Sequence, residues 1–173
     1  MKMRLLVLLV LVLPLAASAR DWSVVAAHST LGFTGSYQGG AFKGVFKHFE
    51  ARIAYDPAHL DACKFDVSVE LASVDTQSSE RDQSLTGSDF FAVNQFPKAH
   101  FVTQSFSTGA DGRVTAHGIL TLRGVSKPVM LQVVFKPTAG GATLDVETTL
   151  NRKDFQLGTG SDWDEIAIPV AVH

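Results

Sequence analysis

From Phe65 to Leu71, apolar residues alternate one for one with Asp66, Ser68 and Glu70. A two-residue period is the mark of an extended strand with one face buried. The same period returns to the end of the chain: Val114, Ala116, Gly118, Leu120 and Leu122; Val129, Leu131, Val133 and Phe135; Leu144, Val146, Thr148 and Leu150; then Ile166, Ile168, Val170 and Val172. Earlier, His28 to Tyr37 and Ala41 to Tyr55 follow it less strictly. Short turn clusters separate the runs, among them Asp56-Pro57, Arg123-Gly124 and Gly140-Gly141. Links this short make antiparallel hairpins and leave no room for helical crossovers.

Eight or so strands, each apolar on one face, bury those faces either in a two-sheet sandwich or in one sheet closed into a barrel. The strands are long for a sandwich of this mass, which favours the barrel. An eight-stranded barrel has an interior that is filled by side chains or holds one small ligand. Alternate residues of every strand point inward, so the residues expected to meet a ligand are Phe33, Phe46, Val67, Val69, Leu120, Leu131, Val133, Val146, Ile168 and Val170. The register is open by one residue around Phe42 to Ile53. The segment 75–97 lacks the period and is expected to hold one or two short helical turns. Thr76 to Glu80 offers the start, and Pro97 ends the segment before a strand from His100 to Ser107.

Not all of the apolar composition belongs to the fold. Lys2 and Arg4 precede nine apolar residues, Leu5 to Leu13, then Pro14 and the small residues Ala17-Ser18-Ala19. This is the layout of a cleaved secretory signal, and the run is shorter than the roughly 20 residues of a spanning helix. Residues 1–19 are read as the signal and 20–173 as one domain. Without Lys2 and Arg4 the remaining charge is 13 basic against 17 acidic side chains. A mildly acidic chain lacks the basic face that displaces counterions from nucleic acid.

Chemistry-bearing patterns are sparse. Cys63 is the single cysteine, so no intrachain disulfide and no cysteine-rich metal site can form. It reads as an inert residue at a strand start. His48 and Glu50 would share a strand face, too few ligands for zinc. Asp162 to Glu165 reads as a solvated turn, without calcium-loop spacing. There is no G-x-S-x-G and no phosphate loop, so no catalytic residue, metal or cofactor is assigned. Arg123, Lys127 and Arg152 lie at strand ends, where a barrel mouth could meet an anionic head group.

Five blocks then stand in order: Phe42-Lys43-Gly44-Val45-Phe46 with Ile53, ELASVDTQSSERDQSL, DFFAVNQFPKAHF, GILTLRGVSKPV and LNRKDFQLG. Together they resemble the YceI family from about Trp22 to the C-terminus. The resemblance implies a hollow, eight-stranded, lipocalin-like antiparallel barrel. It also implies a periplasmic protein that carries a long isoprenoid or other amphiphilic lipid, with no enzymatic activity. A membrane cytochrome b561-type protein is the partner it points to, in quinone or isoprenoid handling. Two positions depart from the family: Gln83-Ser84, where a histidine often follows Arg-Asp, and Gln156, where glycine is common. The competing readings are an enzyme acting on such a lipid, and a stress-induced partner protein whose barrel is filled by its own side chains.

Overall fold

The computed structural model describes residues 19–36 and 40–159 and, for the backbone alone, 37 and 167–172. The signal-like segment up to residue 18 and the acidic turn at 162–165 lie outside the described residues. β1 (Asp21–Trp22) and a 3-10 turn (Ala26–His28) lead into β2 (Leu31–Tyr37), β3 (Gly40–Phe46) and β4 (Phe49–Ala54). β5 (Lys64–Glu70) and the short β6 (Val74–Asp75) precede α1 (Ser79–Thr86). The long strands β7 (Lys98–Thr108), β8 (Val114–Leu122), β9 (Val125–Thr138) and β10 (Gly141–Asn151) follow, then a 3-10 turn (Arg152–Phe155) and β11 (Ala167–Val172).

All pairings are antiparallel, in the order β1-β4-β5-β7-β8-β9-β10-β11-β2-β3-β6. β3 and β4 stand near opposite ends of that order yet are joined by only Lys47 and His48. The sheet therefore curls round on itself, and one bent strand serves both flanks. Counting β3 and β4 as one, the barrel has eight long strands, with β1 and β6 as two-residue additions.

The run from Ala41 to Tyr55 is thus not one regular strand. At the bend, Lys47 N–H donates to the Ser73 carbonyl (3.1 Å), His48 N–H to Ser73 Oγ (3.0 Å), and Glu70 N–H to the His48 carbonyl (3.0 Å). Those bonds replace the ladder, so the strand changes neighbours without stranding its polar backbone. The inward parity also shifts by one: Phe42, Gly44 and Phe46 face in before the bend, and Phe49, Ala51 and Ile53 after it. A shift of one residue exchanges the two faces of a strand. Likewise, the run expected as a strand from His28 starts at Leu31, and His28 closes a 3-10 turn.

One end, here called upper, carries the links at 55–63, 109–113 and 139–140. Aromatic rings plug it. Tyr55 lies 5.8 Å from Phe65, 6.1 Å from Phe106 and 5.0 Å from Phe135, and Trp22 lies 5.4 Å from Phe135. Tyr55 and Phe65 are almost fully buried.

The lower end is covered by chain rather than by strand side chains. α1 begins at Ser78, whose side chain accepts from Arg81 N–H, and turns its Leu85 inward. Asp82 accepts from both the N–H (2.9 Å) and the hydroxyl (2.6 Å) of Thr76, and Arg81 Nε donates to Thr76 Oγ1 (3.0 Å). These bonds are the work of the Arg-Asp pair in the motif. Phe90 and Phe91 then close over the opening with Phe155 and Leu157.

Candidate functional site

Between the aromatic plug and the lower cover lies a cavity of about 690 Å³. Its wall is built from inward strand positions. Where a ring must lie flat on the wall, the facing strand has glycine: a Cβ on Gly118 would come within 2.5 Å of the Phe101 ring. Phe33 lies across Gly44 in the same way and packs on Phe46 at 5.5 Å.

Seven of the ten residues expected to face the interior do line it: Phe33, Phe46, Val67, Val69, Leu120, Leu131 and Val146. Val133 does not. It is buried, but it pairs with Val114 and Val146 beside the fully buried Ala116, in the packed upper part of the barrel. The side chains of Ile168 and Val170 lie outside the described residues; their backbones pair with Leu150 and with Phe33 and Thr148.

Other parts of the lining were not singled out from the sequence. Phe135, Leu144 and Leu150 carry the right parity and could have been. Leu85, Phe90 and Phe91 come from the non-strand segment, where no period marks an inward face. The stretch Trp22–Ser29 borders the cavity from the side, with Val24 36% and Val25 59% exposed.

The three basic candidates part company. Arg123 occupies the first position of a two-residue turn with Gly124, φ +49° and +74°. Its guanidinium donates to the carbonyls of Gln156 and Ser88 (2.6 Å). It fastens the β8–β9 turn to the lower cover and does not line the cavity, so the head-group assignment is corrected. Lys127 is exposed and likewise absent from the lining. Arg152 does line it, is 3% exposed, and donates from one nitrogen to the carbonyls of Leu157 and Gly158, both at 2.7 Å.

Titratable pairs sit on the outside. His100 bonds Asp66 (2.8 Å) and His59 bonds Asp56 (2.9 Å), each holding its carboxyl below the usual range. His48 faces Glu70 at 3.4 Å. Burial raises the Cys63 thiol, and its sulfur accepts from Asp56 N–H, the setting of an unreactive thiol. Among the described residues no three His, Cys, Asp or Glu side chains gather to hold a metal ion, and no helix is long and apolar enough to cross a membrane.

Comparison with known proteins agrees with this architecture. A UPF0312 protein of Ectopseudomonas mendocina is 33% identical over 167 residues, covering 89% of this chain and 87% of its own. The crystal structure of Burkholderia cenocepacia BcnA superposes with a TM-score of 0.79 at 24% identity, over 87% of this chain and 98% of that one. A polyisoprenoid binding domain from Saccharophagus degradans gives 0.61 at 16% identity, over 83% and 90%. At such identities the two structures speak for the fold. The family model described as YceI-like domain matches residues 22–173, nearly everything after the signal-like segment, and the chain belongs to that family.

Proposed function

We propose that this chain is an exported, periplasmic binding protein that carries a long-chain amphiphilic lipid, a polyisoprenoid or an isoprenoid-quinone-like molecule, inside its barrel. The apolar cavity carries the reading. A lumen of about 690 Å³ lined by Phe33, Val69, Leu120 and Leu131 removes a hydrocarbon chain from water. Each buried methylene contributes about 0.8 kcal/mol, so affinity needs no dense set of polar contacts. The name of the Saccharophagus domain supports the same class of ligand. The basic, apolar and small-residue order of residues 1–19 supports export. A membrane cytochrome b561-type protein is the partner that would supply or receive such a lipid.

Native mass spectrometry of gently purified, exported protein tests this. A mature chain starting at Arg20 with one co-purifying amphiphile is the expected species. Turnover of that amphiphile would make the protein an enzyme, and a barrel that refuses every lipid offered would overturn the carrier.

A further inference from the structure

Burial divides the residues that line the cavity. Those of the lower cover, Leu71, Leu85, Phe90, Phe91 and Leu157, are buried, and so is Phe65 at the plug. The strap of residues 23–30, between β1 and β2, is different. Its Ser23, Val24, Val25 and His28 border the cavity and are exposed as well. Apolar residues that meet both the lumen and water mark an opening, and the strap forms one side of it. Val24-Val25-Ala26-Ala27 is an unbroken run of four exposed apolar residues. Single exposed apolar residues are ordinary, whereas a contiguous set beside a pocket marks an interaction site. The other large exposed hydrophobics among the described residues, Met130 and Val134, stand on the outer face of β9, away from the lining.

The run is held in shape. Tyr55 N–H donates to the Arg20 carbonyl (2.9 Å) and Trp22 Nε1 to the Tyr55 carbonyl (2.9 Å), which roots the strap on the plug. Beyond the run, His28 N–H and the Ser29 hydroxyl both donate to the Val25 carbonyl (2.9 Å each). A paired backbone carbonyl enters a less polar medium at lower cost than a bare one. At the root, the Arg20 guanidinium lies over the Trp22 ring at 4.6 Å, and both side chains suit the level of lipid head groups. From Arg20 to Leu31 the ionisable side chains are Arg20, Asp21 and His28, so the charge nearly cancels. Size and place then decide what covers the run. Two valines and two alanines fall far short of the roughly 800 Å² per partner that a stable protein interface buries. They are enough to dip into the boundary of a bilayer, where attachment scales with apolar area.

We propose that the strap is a membrane-docking element: Val24 to Ala27 dip into the surface of a lipid bilayer and open the cavity onto its hydrocarbon. An alkyl chain then passes between bilayer and lumen without crossing water. Attachment is weak, driven by apolar area and not by charge. The purpose of the docking rests on the carrier reading, but the docking itself is measured without any cargo.

The test is co-sedimentation of the delipidated mature chain with phosphatidylcholine vesicles, with Val25→Asp, Ala27→Trp and Met130→Asp as variants. All three sites are exposed, so folding is not at stake. The wild type is expected to partition onto the vesicles, with less than about a twofold change between low and high salt. Val25→Asp should lower the partition about tenfold and Ala27→Trp should raise it about fivefold, while Met130→Asp leaves it unchanged. Vesicles loaded with geranylgeraniol, a C20 alcohol, then report transfer. Its uptake by the protein should quicken in step with vesicle concentration and rank the variants in the same order. No partition, an equal loss in Met130→Asp, or attachment that high salt abolishes overturns the docking; uptake of the alcohol alongside any of these leaves the carrier standing. Partition that follows the variants, with no uptake of the alcohol, supports the docking and counts against the carrier reading.

Discussion

The two ends of the barrel are closed by different physics. At the upper end, rings that stand on strand ends meet one another: Phe65 and Phe106 at 5.0 Å, Tyr55 and Phe135 at 5.0 Å. At the lower end, two stretches of chain are drawn across the opening by directed bonds. Gly158 N–H donates to Asp89 O (2.6 Å), Leu71 N–H to Pro97 O (3.0 Å), and Arg123 and Arg152 each hold two carbonyls. Packing of this kind is non-directional and grows with the area buried, whereas a hydrogen bond fixes one segment in one place. The cavity lies between the two, bordered by Phe65 and Phe135 above and by Phe90, Phe91 and Arg152 below. Between them the wall of aliphatic side chains and of rings such as Phe33 and Phe46 leaves the middle open.

Truncation in the plug should give the largest effect. Phe65→Ala removes a ring that touches Tyr55 and Phe106, and a loss of about 3–5 kcal/mol is expected in denaturant unfolding. A loss below about 1 kcal/mol would mean that the plug is not a packed unit.

Arg123→Ala acts on the other end. Two charge-assisted bonds disappear, at about 1.5–3 kcal/mol in all. Amide exchange should quicken around Ser88 to Phe96 and stay unchanged at Tyr55 and Phe65. A uniform change across both ends would erase the distinction drawn between them.

The difference between a packed and a lining position on β9 is tested by two substitutions to tryptophan. Val133→Trp overpacks the filled part and should cost about 1–3 kcal/mol, with lipid loading per folded molecule unchanged. Leu131→Trp, two residues away on the lining, should leave stability nearly intact and lower the loading. If the two variants behave alike, Val133 and Leu131 do not differ in their access to the lumen.

The smallest effect belongs to Gln156, which ends the 3-10 turn in the left-handed conformation, φ +58°. A side chain there costs roughly 1 kcal/mol relative to glycine. Gln156→Gly should therefore stabilise the lower cover by about 0.5–1 kcal/mol, seen as a rise of a few degrees in Tm.

The long strands could be read from the sequence because a two-residue period reports burial on one face, and burial is what β5, β7, β8, β9 and β10 share. Seven lining residues followed from the same parity. The bend at Lys47-His48 could not be seen, since the groups that satisfy it, Ser73 and the Glu70 N–H, lie more than 20 residues away. His28 to Thr30 resembled the start of a strand because Leu31 and Phe33 carry the alternation without marking where pairing begins. Arg123 resembled a head-group ligand because a cation at a strand end looks the same in sequence whether it meets solvent, a phosphate or two carbonyls. Gln156 did leave a trace. Glycine is common at that position in the family, and the left-handed backbone supplies the reason.

Central to the account is an alkyl chain lying in the lumen. Photo-crosslinking with a C20 alcohol that carries a diazirine near the middle of its chain, followed by peptide mapping, reads this directly. The predicted labels fall on inward residues of the wall, Val69, Leu120, Leu131 or Phe46, and unlabelled alcohol competes them away. Labels confined to the outer face of β9, at Met130 and Val134, or labels that no competitor displaces, would contradict it.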